Sequence, residues 1–296
     1  IPFTTFAQPE DIGVNVTSKA AILIDASSKR VMYEKDADKK LPIASVTKVM
    51  TLLLAFEAID SGNLTINESI TASETAARMG GSQVFIDAGY NYNVGDMIKS
   101  VIIASGNDAA VLLAERISGS EDAFVVKMNK RANELGMTNT VFKNCTGLPE
   151  KDHLSSARDV AIMSAELLKH EEYFKWSTIW MDELKHEKDG RSTELVNTNK
   201  LIRSLNGCDG LKTGYTSDAG FCVTTTAKRG DMRLISVILG GNSSKERFKE
   251  SAELINYGFA NYQNNRAVVA GDIVGTVALK GGMEETVNAM ALNDYF

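Results

Sequence analysis

Residues 41–56 read LPIASVTKVMTLLLAF, and Lys48 is the only charged residue among them. The apolar residues fall on every face of the helix this stretch predicts, and a helix that is apolar all round is buried. A buried ammonium with no counter-charge is costly, so its pKa falls. Ser45 stands one turn earlier, three residues before Lys48, on the same face. A lysine that yields its proton easily, beside a hydroxyl, is a general base beside a nucleophile. The segment therefore predicts a core helix and the centre of a reactive site together.

On the N-terminal side, residues 21–25 and 30–33 read as two strands of a hairpin around the polar turn Ser27-Ser28-Lys29. On the C-terminal side the helix ends near Ser61-Gly62, and the middle of the chain reads as helical. Asn93 with Asp96 resembles a capping box ahead of an apolar run to Ala104. Ser105-Gly106-Asn107 interrupts that run, and Asn107 or Asp108 is then expected to cap a helix through Ile117. Another helix is expected over residues 121–135, stopped by Gly136, and Ser156 with Asp159 opens one carrying residues 160–168.

The period then changes to two. Residues 221–227 and 233–239 are β-rich runs joined by Lys228-Arg229-Gly230-Asp231, and Ser244 starts a last helix to about Tyr262. The order is hairpin, helices, strands, helix. It predicts an α+β fold in which the early hairpin and the late strands share one antiparallel β-sheet packed with helices. Beyond Tyr262 come short strand-like pieces at 267–270, 273–279 and 286–290, punctuated by Gly271 and Gly281-Gly282. Residues 1–262 thus read as a catalytic domain. Residues 263–296 read as the start of a C-terminal β-rich domain, too short for a core of its own.

Composition narrows the function. A hydrophobic share of 44% and a charged share of 24% belong to an ordinary globular protein. A net charge of −6 and the lack of a basic tract argue against nucleic acid as a partner. No run approaches the roughly 18 apolar residues of a membrane span. The opening IPFTTFA lacks the pattern of a signal peptide and reads as a remnant of one or as an expression scar. The three cysteines, Cys145, Cys208 and Cys222, form no CxxC and are expected to be small buried side chains with at least one free thiol. A Cys208–Cys222 disulfide stays open. His153, His170 and His186 are scattered, so neither a metal site nor a histidine-based triad is expected.

Three short motifs carry the chemistry. Ser-x-x-Lys alone arises by chance about once in a chain this long, but a solvated lysine needs a wet face that residues 41–56 do not offer. Lys212-Thr213-Gly214 lies just before the β-rich run and is expected on a sheet edge facing the helix of Ser45. There the lysine supplies charge, the threonine a hydroxyl, and the glycine close backbone approach. The bland alternative is a turn ahead of a strand. Ser105-Gly106-Asn107 predicts a tight loop projecting two polar side chains, against the bland alternative of a helix break with an Asn cap.

In the order SxxK, SGN, KTG, these motifs resemble the SxxK, SDN and KTG set of β-lactamases and penicillin-binding proteins. Over about residues 17–262 the chain is similar to the low-molecular-mass penicillin-binding proteins, serine-type D-alanyl-D-alanine carboxypeptidases. The contexts SGNDAA, FKNCTGLP and LKTGYTSDAGFC carry the likeness further. The resemblance implies the penicillin-binding/β-lactamase-like transpeptidase fold followed by a small β domain. It implies removal of the terminal D-Ala from peptidoglycan stem pentapeptides through an acyl-enzyme on Ser45, and covalent inhibition by β-lactams.

The roles it implies are specific. Ser45 attacks the penultimate D-Ala carbonyl and Lys48, neutral when free, takes its proton. Ser105 and Lys212 relay a proton to the departing D-Ala, and Asn107 holds the substrate amide or Lys48. The backbone N–H groups of Ser45 and Tyr215 form the oxyanion hole. Lys212, Thr213 and Gly214 line the substrate, and Thr213 with Arg247 binds its terminal carboxylate. No metal or organic cofactor is implied. Some members of the family carry histidine where this chain has Tyr215, which leaves a backbone donor intact. The implied location is extracytoplasmic, at the outer face of the membrane or secreted, with membrane association of the full-length protein not encoded in these residues.

Two other readings compete. A class A β-lactamase would need a deacylating glutamate, yet no ExxxN or ExxLN segment lies between Asn107 and Lys212, and Glu166 reads as a charge on a helix face. Rapid nitrocefin turnover would favour it. A sensor module acylated by β-lactams without peptide turnover would release no D-Ala.

Overall fold

The computed structural model describes residues 13–264, 268–280 and 286–292. The chain begins with strands β1 (Ala20–Asp25) and β2 (Val31–Lys35), a 3-10 turn (Ala44–Thr47) and helix α1 (Lys48–Asp60). Next come β3 (Ser69–Thr71), α2 (Glu74–Ala77), β4 (Asn91–Asn93), α3 (Val94–Ile103), α4 (Asn107–Ser118) and α5 (Glu121–Glu134). Then follow α6 (Ala157–Leu167), α7 (Phe174–Ser177), β5 (Met181–Lys185) and β6 (Ser192–Val196). The later elements are β7 (Cys208–Thr216), β8 (Gly220–Arg229), β9 (Met232–Gly241), α8 (Ser244–Asn261), β10 (Ile273–Ala278) and β11 (Thr286–Met290).

The main sheet has the order β2-β1-β9-β8-β7 and every neighbouring pair is antiparallel. The early hairpin therefore joins the late strands through β1 on β9, as the sequence predicts. Strand β1 is buried along its whole length because it serves two cores. Ala20, Ile22 and Ile24 point into the helical core with α1, α3, α4 and α6, while Ala21 and Leu23 point to α8. This is the period-two alternation of a strand with both faces covered. Helix α1 is buried from Lys48 to Phe56 and runs through the helical core. Strand β7 forms the sheet edge beside it.

Local signals set several boundaries. The side chains of Asn93, Ser120, Ser156 and Ser243 accept backbone N–H bonds at the starts of α3, α5, α6 and α8. One capping expectation fails: Gly106, not Asn107 or Asp108, occupies the cap of α4. Those two side chains turn away to other partners. The small hairpins β3–β4 and β5–β6 lie in the region expected to be helical. Their strands are short and polar, and β5 and β6 bury fully only Leu184 and Leu195, too weak a period to separate from helix.

The strand pieces expected at 273–279 and 286–290 form the antiparallel pair β10–β11, while the piece expected at 267–270 lies partly outside the described residues. Among the described residues no helix is long and apolar enough to cross a membrane.

Candidate active site

Ser45 sits in the 3-10 turn, one residue after Ala44, whose φ of +47° is left-handed. The turn runs straight into α1, so Ser45 and Lys48 share a face although only Lys48 lies in the α-helix. Lys48 is fully buried, and its Nζ lies 3.0 Å from Ser45 Oγ, 2.6 Å from Asn107 Oδ1 and 2.7 Å from the Thr146 carbonyl. Desolvation lowers the pKa of Lys48 to about 7, against opposing contributions from Cys145 and Asp108. A neutral amine has two N–H donors and one lone pair. Asn107 and Thr146 take the two donors, which leaves the lone pair for the Ser45 hydroxyl proton.

The Thr146 carbonyl is placed by its own loop. Asn144 Oδ1 accepts the N–H of Thr146 at 3.2 Å and of Gly147 at 2.7 Å, a side-chain turn of the Asx kind. Gly147 has φ +82°, and a Cβ there would lie 1.9 Å from the Ala44 carbonyl oxygen. Only glycine lets this loop close on the serine turn.

Asn107 is the first residue of α4, reached through Ser105 in the left-handed region at φ +64°. It is held from behind. Its N–H donates to the Ser82 carbonyl at 2.7 Å and its Nδ2 to the Gly80 carbonyl at 2.6 Å, which orients Oδ1 toward Lys48. The Asp108 carboxylate fixes the same loop by accepting the N–H groups of Val84 and Ile86. Ser105 is buried, but it is not among the hydrogen-bond partners of Lys48, whose third partner is the Thr146 carbonyl.

Strand β7 closes the other side. Lys212 and Gly214 share its inner face, and a Cβ on Gly214 would lie 3.0 Å from the Ser45 backbone nitrogen. Lys212 is fully buried, and Nζ donates to the Thr213 carbonyl at 2.9 Å. Desolvation first, then the charges of Lys48 and Arg247, push its pKa well below the usual lysine range. Thr213 Oγ1 donates to Thr198 Oγ1 at 2.8 Å. Arg247 reaches the strand from α8, and its Nη1 donates to the carbonyls of Gly214 at 2.8 Å and Cys222 at 3.1 Å. Desolvation lowers its pKa to about 10.

A buried serine–lysine pair between an SGN loop and a KTG strand invites comparison with known proteins. Residues 4–243 match the peptidase S11 family, D-alanyl-D-alanine carboxypeptidase. The chain belongs to that family. It is 44% identical over 270 residues to D-alanyl-D-alanine carboxypeptidase DacF of Bacillus subtilis, covering 91% of this chain and 69% of the relative. Penicillin-binding protein 5 of Haemophilus influenzae superposes with a TM-score of 0.86 at 32% identity, covering 98% of this chain and 83% of that one. Penicillin-binding protein D2 of Listeria monocytogenes, solved with ampicillin bound, gives a TM-score of 0.74 at 33% identity, covering 85% of this chain and all (100%) of that one. The α+β architecture is the penicillin-binding fold, and family membership makes the chain a serine peptidase.

Within this D-alanyl-D-alanine carboxypeptidase family member, the fold brings Ser45, Lys48, Asn107, Lys212, Gly214 and Arg247 together. Arg247 joins them through the backbone of β7, with its Nη1 spent on two carbonyls. Tyr215 is 57% exposed, and its ring lies against Phe221 with centroids 4.3 Å apart. Sequence reasoning missed four contributors: Thr146, Asp108, Thr198 and His153. The Lys143 N–H donates to His153 Nδ1 at 3.2 Å, so Nε2 carries the proton and donates to Thr47 Oγ1 at 2.9 Å, inside the serine turn. The FKNCTGLP stretch was the signal for Thr146 and the SGNDAA context that for Asp108; Thr198 and His153 had none. All three cysteines are buried free thiols, so Cys208 and Cys222 form no disulfide. Among the described residues no cluster of metal-ligating side chains occurs.

Proposed function

We propose that this chain is the catalytic part of a serine D-alanyl-D-alanine carboxypeptidase that trims the terminal D-Ala from peptidoglycan stem pentapeptides. The observation that carries this reading is Lys48, fully buried with its Nζ 3.0 Å from Ser45 Oγ and its two other partners fixed. Neutral Lys48 accepts the Ser45 proton as Oγ attacks the carbonyl of the penultimate D-Ala. The oxyanion is held by the Ser45 N–H, close to which the absence of a side chain on Gly214 lets strand β7 approach, with the Tyr215 N–H as second donor. Asn107 Oδ1 then keeps the new ammonium in place. Ser105 and Lys212 pass a proton to the leaving D-Ala amine, and water hydrolyses the ester.

Thr213 binds the terminal carboxylate. Arg247 lends positive charge to that subsite while it holds the Gly214 carbonyl. A β-lactam that binds at the same residues acylates Ser45. The substrate places the enzyme outside the cytoplasm, at the outer face of the membrane or beyond it. Residues 263–296 belong to a second, β-rich domain, which accounts for the exposed apolar side chains of β10 and β11, such as Val274 and Met290.

The test is mass spectrometry of penicillin-treated protein together with a D-Ala release assay on a stem pentapeptide. A mass increase of one penicillin on Ser45, and loss of both signals in Ser45→Ala, is the expected result. Label on another residue overturns the nucleophile. Label on Ser45 with no D-Ala release overturns the carboxypeptidase activity and leaves a sensor.

A further inference from the structure

Phe85 is costly where it stands. The residue is 57% exposed and its backbone is left-handed at φ +60°, a region that bulky side chains rarely occupy. Glycine would adopt this backbone without strain, and a polar side chain would leave no aromatic ring in water.

The surroundings impose the geometry. The side chains of Val84 and Ile86 are buried on either side, at 0% and 4% exposure. Their N–H groups donate to the Asp108 carboxylate at 3.0 and 3.3 Å. The Phe85 carbonyl accepts from Arg191 Nη2 at 2.7 Å, and the same guanidinium pairs with Asp87 at 2.7 Å. With both neighbours anchored inward and the backbone tied, the ring is presented outward and held there.

The loop that presents it packs directly against Asn107. Its Gly80 and Ser82 carbonyls hold Asn107, and a Cβ on Gly81 would lie 2.7 Å from Asn107 Nδ2. The leaving group of the proposed reaction is a single D-Ala, so on that side the substrate ends inside the site. The acyl side is the only part of the substrate that extends beyond the residue removed.

We infer that Phe85 is a specificity-determining residue, an aromatic surface on which the upstream stem peptide packs its aliphatic groups. This rests on the carboxypeptidase reading. A rigid ring gives contact area at little entropic cost, because its loop is already ordered.

The experiment compares Phe85→Gly and Phe85→Tyr on three reactions: D-Ala release from an N-acetylated D-Ala-D-Ala dipeptide, from a stem pentapeptide, and acylation by benzylpenicillin. Phe85→Gly is expected to lower kcat/KM for the pentapeptide about fivefold, through KM, with the dipeptide and penicillin reactions within about twofold of the parent. Phe85→Tyr keeps the ring and is expected to match the parent on all three. Equal loss on every substrate makes Phe85 structural and overturns the inference. So does an unchanged pentapeptide rate, or a loss seen only when a muramyl sugar is attached to the peptide. A parent protein that penicillin acylates but that releases no D-Ala from either peptide overturns the carboxypeptidase reading itself.

Discussion

At the scale of the residue, Lys48 answers the problem its own sequence poses. A fully buried lysine is tolerable when it is neutral or fully hydrogen-bonded, and here both conditions are available. Desolvation brings its pKa to about 7, and three oxygen atoms lie within 3.0 Å of Nζ. The sign of the pH effect follows. The base form grows as pH rises, so the acylation rate constant for penicillin should climb about tenfold per pH unit below about 7 and level off above it. Stopped-flow acylation between about pH 5 and about pH 9 reads this directly, and a flat profile would remove Lys48 as the base. Lys48→Ala should slow acylation by a factor on the order of a hundred to ten thousand while initial binding changes little.

At the scale of the element, the site is a clamp of two backbone pieces on the serine turn. The loop of Gly147 and the strand of Gly214 both approach within what would be side-chain distance. Two glycines with similar left-handed backbones separate approach from conformation. Gly62 has φ +74° with nothing within 4 Å of its missing Cβ, whereas at Gly147 that Cβ would sit 1.9 Å from the Ala44 oxygen. Gly62→Ala should cost about 1 kcal/mol of stability by urea unfolding and leave acylation unchanged. Gly147→Ala should also push the Thr146 carbonyl off Lys48 and lower the acylation rate by about a hundredfold or more. Equal rates in the two variants would mean that the loop does not position the lysine.

At the scale of the whole molecule, the catalytic unit stores buried bases that resist protonation. The folded pKa of His153 is lowered to about 4, chiefly by desolvation, and that of Lys48 to about 7. In each case the unfolded chain binds the proton more readily than the folded one. Stability therefore rises with pH across each window. For His153 it falls as pH drops from about 6.5 to about 4, by up to about 3 kcal/mol. For Lys48 it falls from about 10.5 to about 7. Urea denaturation at pH values spanning about 4 to about 7 should show the acid loss in the parent and a shallower slope in His153→Gln. Identical slopes would show that His153 does not carry it.

Much of this was legible without coordinates. The apolar run around Lys48 specifies a buried helix, because no other placement keeps so many Leu, Val and Met side chains from water. The period-two runs at 221–239 specify paired strands, and their pairing with the early hairpin follows from the need to cover the sheet. The order SxxK, SGN, KTG specified the family. Strands β5 and β6 escaped because five polar-rich residues each leave no readable period.

What only the tertiary structure decided is the set of partners. Local sequence gave Lys48 a serine three residues away. Chain separations of 59 and 98 residues brought it Asn107 and the Thr146 carbonyl. The bond from His153 to Thr47, the anchoring of the 80–86 loop by Asp108, and the hold of Arg247 on Gly214 are likewise products of packing between distant elements. Periodicity and motifs report what a residue needs from its surroundings. Which groups supply it depends on how the chain closes in space, and no local pattern carries that information.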